Sequence, residues 1–330
     1  FKANRESLQL LCFLPETRGP LLPILWRSHN GKRLGTSTLL PHLIETLASP
    51  FYTLTMVNDI MSSRTNPLVL QIINLVSIFG TIVFNSLANI LPLNGVNTGQ
   101  VADSYPSLFT PPGYVFAIWG VIYILLSTFA IYQARPSERE KGYLQDISIL
   151  YLLGAIFNIS WLIVFHYSFG NPTLFVLSEL PIALLLVTLL FTYVRLGIGE
   201  KEVPLGEKLA VHLPVSVYLG WISLATIAST ASVLNVLIPG IPQMIQELWT
   251  VAVIIIALVI TLLMIFLRHD FAFGLVVIWA TVGIATKQAA IALISYTAIG
   301  TAAVVLLAII LVPIIKKKNI LDYYLVRNGK

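Results

Sequence analysis

Long, nearly uncharged apolar runs are the feature that most constrains how this chain can fold. From residue 68 onward they alternate with short polar connectors, and each has roughly the 20 residues with which an α-helix crosses about 30 Å of hydrocarbon. Eight such segments occur, at 68–91, 113–134, 146–169, 172–195, 207–230, 248–267, 271–290 and 293–315. Because backbone amides in lipid must be satisfied within their own segment, the runs predict an all-α integral membrane protein with eight transmembrane helices. Their unbroken hydrophobicity argues against a β-barrel.

Composition supports a membrane protein and disfavours several soluble classes. Hydrophobic residues make up 57% of the chain and charged residues only 11%, whereas charged residues are about 25% of a typical soluble domain. The lipid bilayer is therefore the expected partner, and a net charge of +5 gives no support to nucleic-acid binding. The single cysteine, Cys12, excludes disulfide frameworks and cysteine-built zinc sites, so no metal site is expected.

Lysine and arginine are distributed unevenly among the connectors. The first, third, fifth and seventh connectors carry none, while the second, fourth and sixth and both flanks of the membrane region are basic. The basic residues are Arg64, Arg135, Arg139, Lys141, Arg195, Lys201, Lys208, Arg268 and Lys316 to Lys318. By the positive-inside rule, this alternation predicts that both termini lie on the positive, cytoplasmic-type side, and it holds only for eight helices.

Aromatic residues recur at helical spacing in three of the segments. The stripes are Phe116, Trp119 and Tyr123 in the second segment, Asn158, Trp161 and Phe165 in the third, and Pro214, Tyr218, Trp221 and Ala225 in the fifth. Spacings of three, four and seven residues place each set on one helix face. Packing or an interfacial aromatic belt explains any single stripe, whereas three converging stripes would line a flat-walled pocket for a planar or sterol-like ligand.

A few polar residues interrupt the apolar runs. The amide of Asn158 should hydrogen-bond another helix or a ligand. Glu179 and Lys287 are ionisable groups inside predicted spans; they mark the pathway of a small-molecule transporter, or have local roles that include snorkelling of the lysine. His166 and His212 are either axial ligands for a haem iron or hydrogen-bonded structural residues. No catalytic triad, paired carboxylate or phosphate-binding loop occurs, so the chain is not expected to be an enzyme.

The stripes and the loop before the second segment resemble the tryptophan-rich sensory protein family, also called the TspO/MBR or translocator protein family. Residues 109–116 (FTPPGYVF) with Trp119 and Tyr123 are similar to its W-x-P-P-x-W-x-F-x-x-x-W-x-x-L-Y signature. The third segment resembles its N-x-x-W motif, and residues 214–221 (PVSVYLGW) resemble its P-x-x-x-Y-L-A-W stretch. The departures are Phe109 and Tyr114 in place of tryptophans, Gly220 in place of alanine, and Ser229 in place of asparagine.

The resemblance covers residues 68–232, and it implies a five-helix bundle roofed by the first loop, with a ligand pocket lined by the second, third and fifth helices. The pocket residues that it implies are Pro112, Phe116, Trp119, Tyr123, Asn158, Trp161, Tyr218 and Trp221. Members of the family bind porphyrins and, in some cases, sterols or benzodiazepine-type drugs. The implied function is a membrane receptor, sensor or carrier for a flat apolar ligand, foremost a tetrapyrrole (porphyrin or haem). The resemblance implies no required cofactor, and a homodimer is one possible assembly.

The chain then divides into four parts. Residues 1–55 are either a basic targeting leader or translated upstream sequence; we favour the second interpretation and assign them no structure. Residues 56–232 form the five-helix domain, residues 233–315 a three-helix extension, and residues 316–330 a basic tail. The purpose of the extension is left open between covering the core, dimerisation and a second site.

Overall fold

A computed structural model describes residues 65–315, and each of the eight apolar segments is helical. The long helices are α1 (Pro67–Ile90), α2 (Ile118–Gln133), α3 (Leu150–Tyr167), α4 (Pro172–Leu196), α5 (Leu213–Leu237), α6 (Gln243–Arg268), α7 (Phe271–Lys287) and α8 (Ala292–Ile315). No strand occurs between residues 65 and 315. The predictions for residues 1–55 and 316–330 fall outside the described residues.

Local sequence signals explain where several of these helices begin and end. Asn66 and Asn171 cap α1 and α4 by accepting a backbone N–H, and each is followed by a proline in the first turn, where proline loses no helical hydrogen bond. Gly197 ends α4 in the left-handed conformation, with φ of 63°, which glycine adopts at little cost. The boundaries of α1 and α4 therefore lie within one residue of the predicted segments.

The fifth helix departs most from its prediction of 207–230. A single turn at Leu205–Glu207 and a π-helical turn at Lys208–His212 lead into α5, which continues to Leu237. The apolar face continues through Val233 and Leu237, and Pro239 and Gly240 follow the helix end. The predicted domain boundary at 232/233 consequently lies inside a helix, and the division into core and extension stays a prediction.

The first two connectors contain short helices, although the first was predicted as a loop. The first has a 3-10 turn at Leu93–Gly95, a helix at Thr98–Ser104 and a 3-10 turn at Gly113–Ala117 that leads directly into α2. Asn97 and Gln100 form a reciprocal capping box that fixes the start of Thr98–Ser104. The second connector carries Pro136–Glu140 and Tyr143–Ile147.

Within residues 65–315, seven helices are long and apolar enough to cross a membrane. α2 reaches this length together with the 3-10 turn before it, as Gly113–Gln133 with 21 residues. The exception is α7, which has 17 residues and therefore a length of about 25 Å at roughly 1.5 Å per residue. The chain is a multi-pass helical membrane protein, and an eighth crossing is treated below as a proposal.

The extension packs on the core through α7, which lies against α5 and α8. Gly220 on α5 is at this contact, because a Cβ built there would lie 3.2 Å from the Cβ of Val276. That distance is tighter than ordinary van der Waals contact. The glycine that replaces the expected alanine at position 220 therefore matches the close approach of α7.

The two ends of the bundle differ in chemistry. The aromatic end contains Thr98–Ser104 and Gly113–Ala117, and Phe175 at the start of α4 also lies there. The basic end contains the connectors that carry Lys201 and Arg268, and it begins where α4 ends. The 25 residues of α4 separate them by about 37 Å at roughly 1.5 Å per residue.

Candidate ligand-binding site

Rings from three helices meet at Trp119 of α2. Its ring centroid lies 6.3 Å from Trp161 of α3, 5.9 Å from Tyr218 of α5 and 6.4 Å from Trp221 of α5. Phe116 lies 5.7 Å from Trp221 in an edge-to-face arrangement. These distances are in the range in which aromatic pairs attract each other, so the three stripes form one cluster inside the bundle.

Two cavities flank this cluster, and Phe116 and Trp119 line both. The inner cavity, of about 60 Å³, lies behind Trp119 and is almost entirely apolar. The outer recess, of about 640 Å³, lies between α1, the Thr98–Ser104 helix and α2, and Tyr123 also lines it. The residues that line the inner cavity include Phe109, Pro111, Trp161, Phe165, Phe175, Ile182, Trp221, Ser229, Ala280 and Ile284. Phe116, in the 3-10 turn before α2, and Trp119 of α2 thus form the wall between the two spaces.

Asn158 does not line either cavity but joins three helices. The Asn85 side-chain amide of α1 donates to Asn158 Oδ1 at 2.6 Å, and Asn158 Nδ2 donates to the Tyr218 hydroxyl at 3.0 Å. Asn158 is fully buried, so these bonds satisfy polar groups that would otherwise be unpaired in an apolar interior. The chain of bonds fixes Tyr218 against the Trp119 ring.

Two indole N–H groups in the cluster have no hydrogen-bond partner among the described residues. They belong to Trp161 and Trp221, which are 5% and 3% exposed, and both residues line the inner cavity. An unsatisfied buried donor costs roughly 1–3 kcal/mol. The site is therefore suited to a ligand that brings hydrogen-bond acceptors.

The remaining predicted residues occupy different places. Pro112 lines neither cavity and packs instead close to Gly283 of α7. Tyr218 also borders a separate small space of about 20 Å³ between α1, α3 and α4. The structure brings Phe116, Trp119, Trp161 and Trp221 together around the inner cavity, while Tyr123 faces only the recess.

Several lining residues were missed at the level of sequence. Asn85 and Asn89 of α1 line the recess, and they continue a buried polar face. That face includes Gln71, Asn74, Ser77, Thr81 and Asn85, whose helical periodicity could have been found by inspection. Ala280 and Ile284 of α7 also reach the inner cavity, and no sequence signal marks small and aliphatic residues of that kind.

The two ionisable residues have local partners. Both carboxylate oxygens of Glu179 accept hydroxyl hydrogen bonds, from Ser229 and Thr230 of α5, each at 2.5 Å. The placement of Lys287 inside a span was wrong, because α7 ends at this residue. Its Nζ lies 3.0 Å from a carboxylate oxygen of Asp103 in the first connector.

Neither candidate haem-ligating histidine faces the aromatic cavities. His166 is buried, with Nε2 3.1 Å from Thr98 Oγ1 and Nδ1 3.3 Å from the Leu93 carbonyl oxygen. His212 lies at the basic end. Across residues 65–315, no cluster of three or more His, Cys, Asp or Glu side chains could hold a metal ion.

The roof of the site is held by the extension. The Trp279 indole N–H of α7 donates to the Val115 carbonyl at 2.9 Å, and the Tyr114 hydroxyl lies 3.1 Å from Thr286 Oγ1. Gly283 faces Val115 so closely that no side chain could be added without moving one of them. Of the purposes left open for the extension, covering the core is the one these contacts match.

The fold and the cluster define a class, that of multi-pass helical membrane proteins with an aromatic interior site under a structured loop. A family model described as TSPO-like protein matches residues 71–311, well over half of the chain, and the chain belongs to this family. The match extends past the motifs at 68–232 and includes α6, α7 and most of α8. No curated protein and no solved structure matched the chain. Membership suggests a membrane protein of the sensor or receptor type, in a family that is generally not enzymatic.

Proposed function

We propose that the protein is a membrane receptor or sensor, without catalytic activity, that binds a flat apolar ligand against the Trp119 ring. The ligand class is the tetrapyrroles, porphyrin or haem. The observation that carries this proposal is the convergence of rings from α2, α3 and α5 on Trp119. Family membership supports the receptor class, and the binding site is the part that experiment must test.

The recess is the proposed position of the ligand because of its size. A tetrapyrrole is far too large for the inner cavity of about 60 Å³, whereas the recess of about 640 Å³ is within the usual range of roughly 300–1,000 Å³ for ligand pockets. Stacking on Trp119 and Tyr123 would contribute about 0.5–1.5 kcal/mol per ring beyond area burial. Asn85 and Asn89 line the recess at the proposed ligand edge, but the Asn85 N–H groups already donate to Thr81 and Asn158.

The unpaired indoles add a requirement for the ligand. Trp161 and Trp221 lie behind Trp119 and lack acceptors among the described residues. Carboxylate or carbonyl groups of a ligand that reaches past Trp119 would satisfy them. We therefore expect porphyrins with free carboxylates to bind more tightly than their esters.

Fluorescence titration of the full chain in detergent tests the proposal. A porphyrin should quench tryptophan emission saturably, and Trp119→Ala and Trp221→Ala should each raise the Kd by about tenfold or more, as expected for losing roughly 1.4 kcal/mol or more. Trp249→Phe is the matched control, since Trp249 lies on α6 and lines neither aromatic cavity. Unchanged affinity in both alanine variants would show that the ligand does not bind here.

A secondary transporter is the alternative function, and the position of Glu179 favours it over a purely structural role for this residue. Ser229, one of its partners, lines the inner cavity, and Thr230, the other, lines a separate groove of about 560 Å³ between α4, α5 and α6. Glu179 is thus hydrogen-bonded to one lining residue of the inner cavity and to one lining residue of the groove. Counterflow in liposomes that is lost in Glu179→Gln, and impaired in Lys287→Met, would support transport, whereas absence of counterflow in the unmodified protein would exclude it.

Eight crossings, with both termini on the basic side, are also proposed. Only two residues link α6 to α7 and four link α7 to α8, and these short links support a return of the chain across the bilayer by α7. In a Cys12→Ser background, cysteines at Glu202 and Ala289 should react with an impermeant reagent from opposite faces. Labelling of both from one face would contradict a crossing by α7.

The homodimer stays a prediction, which light scattering of the detergent complex can check.

A further inference from the structure

A second, polar cavity of about 210 Å³ lies at the basic end, far from the aromatic site. Three elements form it: the connector after α4, the turn and first residues of α5, and the link between α6 and α7. It can hold several waters, each of which occupies roughly 30 Å³ in the liquid, or one small organic molecule. Core and extension both contribute to its wall.

The inner wall of this cavity carries two unpaired polar atoms. His212 and Asp270 are each 6% exposed, and neither His212 Nε2 nor Asp270 Oδ2 has a hydrogen-bond partner among the described residues. The other carboxylate oxygen of Asp270 accepts the Phe273 N–H at 3.0 Å and caps α7. Burial raises the pKa of Asp270, and the Phe273 amide partly offsets this effect. The hydroxyls of Ser216 and Tyr193 also lower the pKa of Asp270 from nearby, but neither makes a hydrogen bond to Oδ2.

The mouth of the cavity is basic: Lys201, Lys208 and Arg268 line it, and Lys201 and Arg268 each pair with a carboxylate. Lys201 Nζ lies 2.8 Å from Asp146, and Arg268 lies 2.9 Å from Glu200, whose side chain is 61% exposed. The Arg268 side chain is 25% exposed and also donates to the Ile198 carbonyl oxygen, whereas Glu200 lies at the surface. Arg268 can therefore exchange Glu200 for the carboxylate of a ligand without moving from its place.

These features select the chemistry of the ligand. A metal ion is disfavoured because the described residues offer no cluster of three metal-ligating side chains, and a simple anion would leave the inner wall unsatisfied. A primary ammonium group brings three hydrogen-bond donors and a positive charge, which match an imidazole nitrogen and a buried carboxylate. A carboxylate at the other end of the molecule would match Arg268 and Lys201.

We propose that the cavity between α4, α5 and the α6–α7 link is a binding site for a small zwitterion, with its ammonium group on Asp270 and His212 and its carboxylate at Arg268. The site is independent of the aromatic cluster. It gives the family core a second ligand that only a chain with the extension can hold, because Arg268 and Asp270 belong to the extension.

Three probes of matched length test the site in the full chain by calorimetry: 4-aminobutyrate, butylamine and butyrate. Saturable binding is expected for 4-aminobutyrate, weaker binding for butylamine and none for butyrate. Asp270→Asn keeps a capping side chain at the start of α7 and should raise the Kd for both amines by about tenfold or more, as expected for a charged hydrogen bond. Arg268→Gln should reduce 4-aminobutyrate affinity to that of butylamine and leave butylamine unaffected.

Porphyrin quenching serves as the folding control for both variants. Glu247→Gln, near the start of α6, is the matched control for the loss of a charge. Tight binding of butyrate alone would overturn the proposal in favour of an anion site. Equal 4-aminobutyrate affinity in Asp270→Asn and the unmodified chain, or no binding of any probe, would also overturn it.

Discussion

The two ends of the bundle are closed by different kinds of contact. At the aromatic end, α7 holds the roof through the Trp279 hydrogen bond to Val115 and through the contact of Gly283 with Val115. At the basic end, ion pairs between partly exposed side chains join the connectors, and Gly199 lies close against the Arg268 backbone. Packed contacts cost more to break than exposed ion pairs. The roof contacts at the aromatic end should therefore contribute more to the stability of the bundle than the ion pairs at the basic end, which can exchange partners at little cost.

Gly283→Leu should have the largest effect, because its side chain must displace Val115 and the roof with it. We expect a loss of about 1–3 kcal/mol, the usual cost of overpacking, measured by thermal unfolding in detergent. Gly300→Leu is the control, since that position on α8 faces open space. Equal stability of the two variants would mean that α7 does not hold the roof.

Asn158→Leu should lower the free energy of unfolding by about 1–2 kcal/mol. It removes both the acceptor of the Asn85 amide and the donor to the Tyr218 hydroxyl. The double variant with Asn85→Leu should lose less than the sum of the single variants, by about 0.6 kcal/mol and at most roughly 1.7, the range found for polar pairs in membrane helices. Strict additivity in denaturant unfolding would show that the two amides do not interact.

Trp279→Phe should lower the free energy of unfolding by about 0.5–1.5 kcal/mol, the net contribution of one hydrogen bond. It keeps an aromatic ring against Tyr114 and removes only the donor to Val115. Trp249→Phe is the matched comparison, because the two rings are similarly exposed at 40% and 44%. If Trp249→Phe destabilises as much, the bond to the roof contributes nothing specific.

Lys201→Gln should have the smallest effect and lower the free energy of unfolding by less than about 0.5 kcal/mol. Both partners of its ion pair with Asp146 are exposed. The melting temperature should change little, and its dependence on salt should be weaker than in the unmodified chain. A loss comparable to that of Asn158→Leu would show that the basic end is as rigid as the aromatic end.

Much of the fold was predictable because membrane helices depend on local hydrophobicity. The ends of α1 and α4 follow from hydrophobicity and capping residues, and the convergence on Trp119 follows from aromatic spacing on three helices. Tertiary contacts explain what was missed. Pro112 packs on α7 and not in a cavity, and Lys287 forms an ion pair at a helix end, because the position of the extension is not encoded in any one segment.

The buried polar face of α1 has a consequence for biogenesis. Of the eight long helices, α1 leaves the ribosome first. Its Asn85 amide has one acceptor within α1, at Thr81, and a second on α3, and the acceptors of Gln71 are at and just after the end of α2. Until those helices are synthesised, these amides would face acyl chains or the insertion machinery, and lipid is the costlier surrounding. We therefore expect α1 to remain beside the translocon and to move into the bilayer together with α2 and α3.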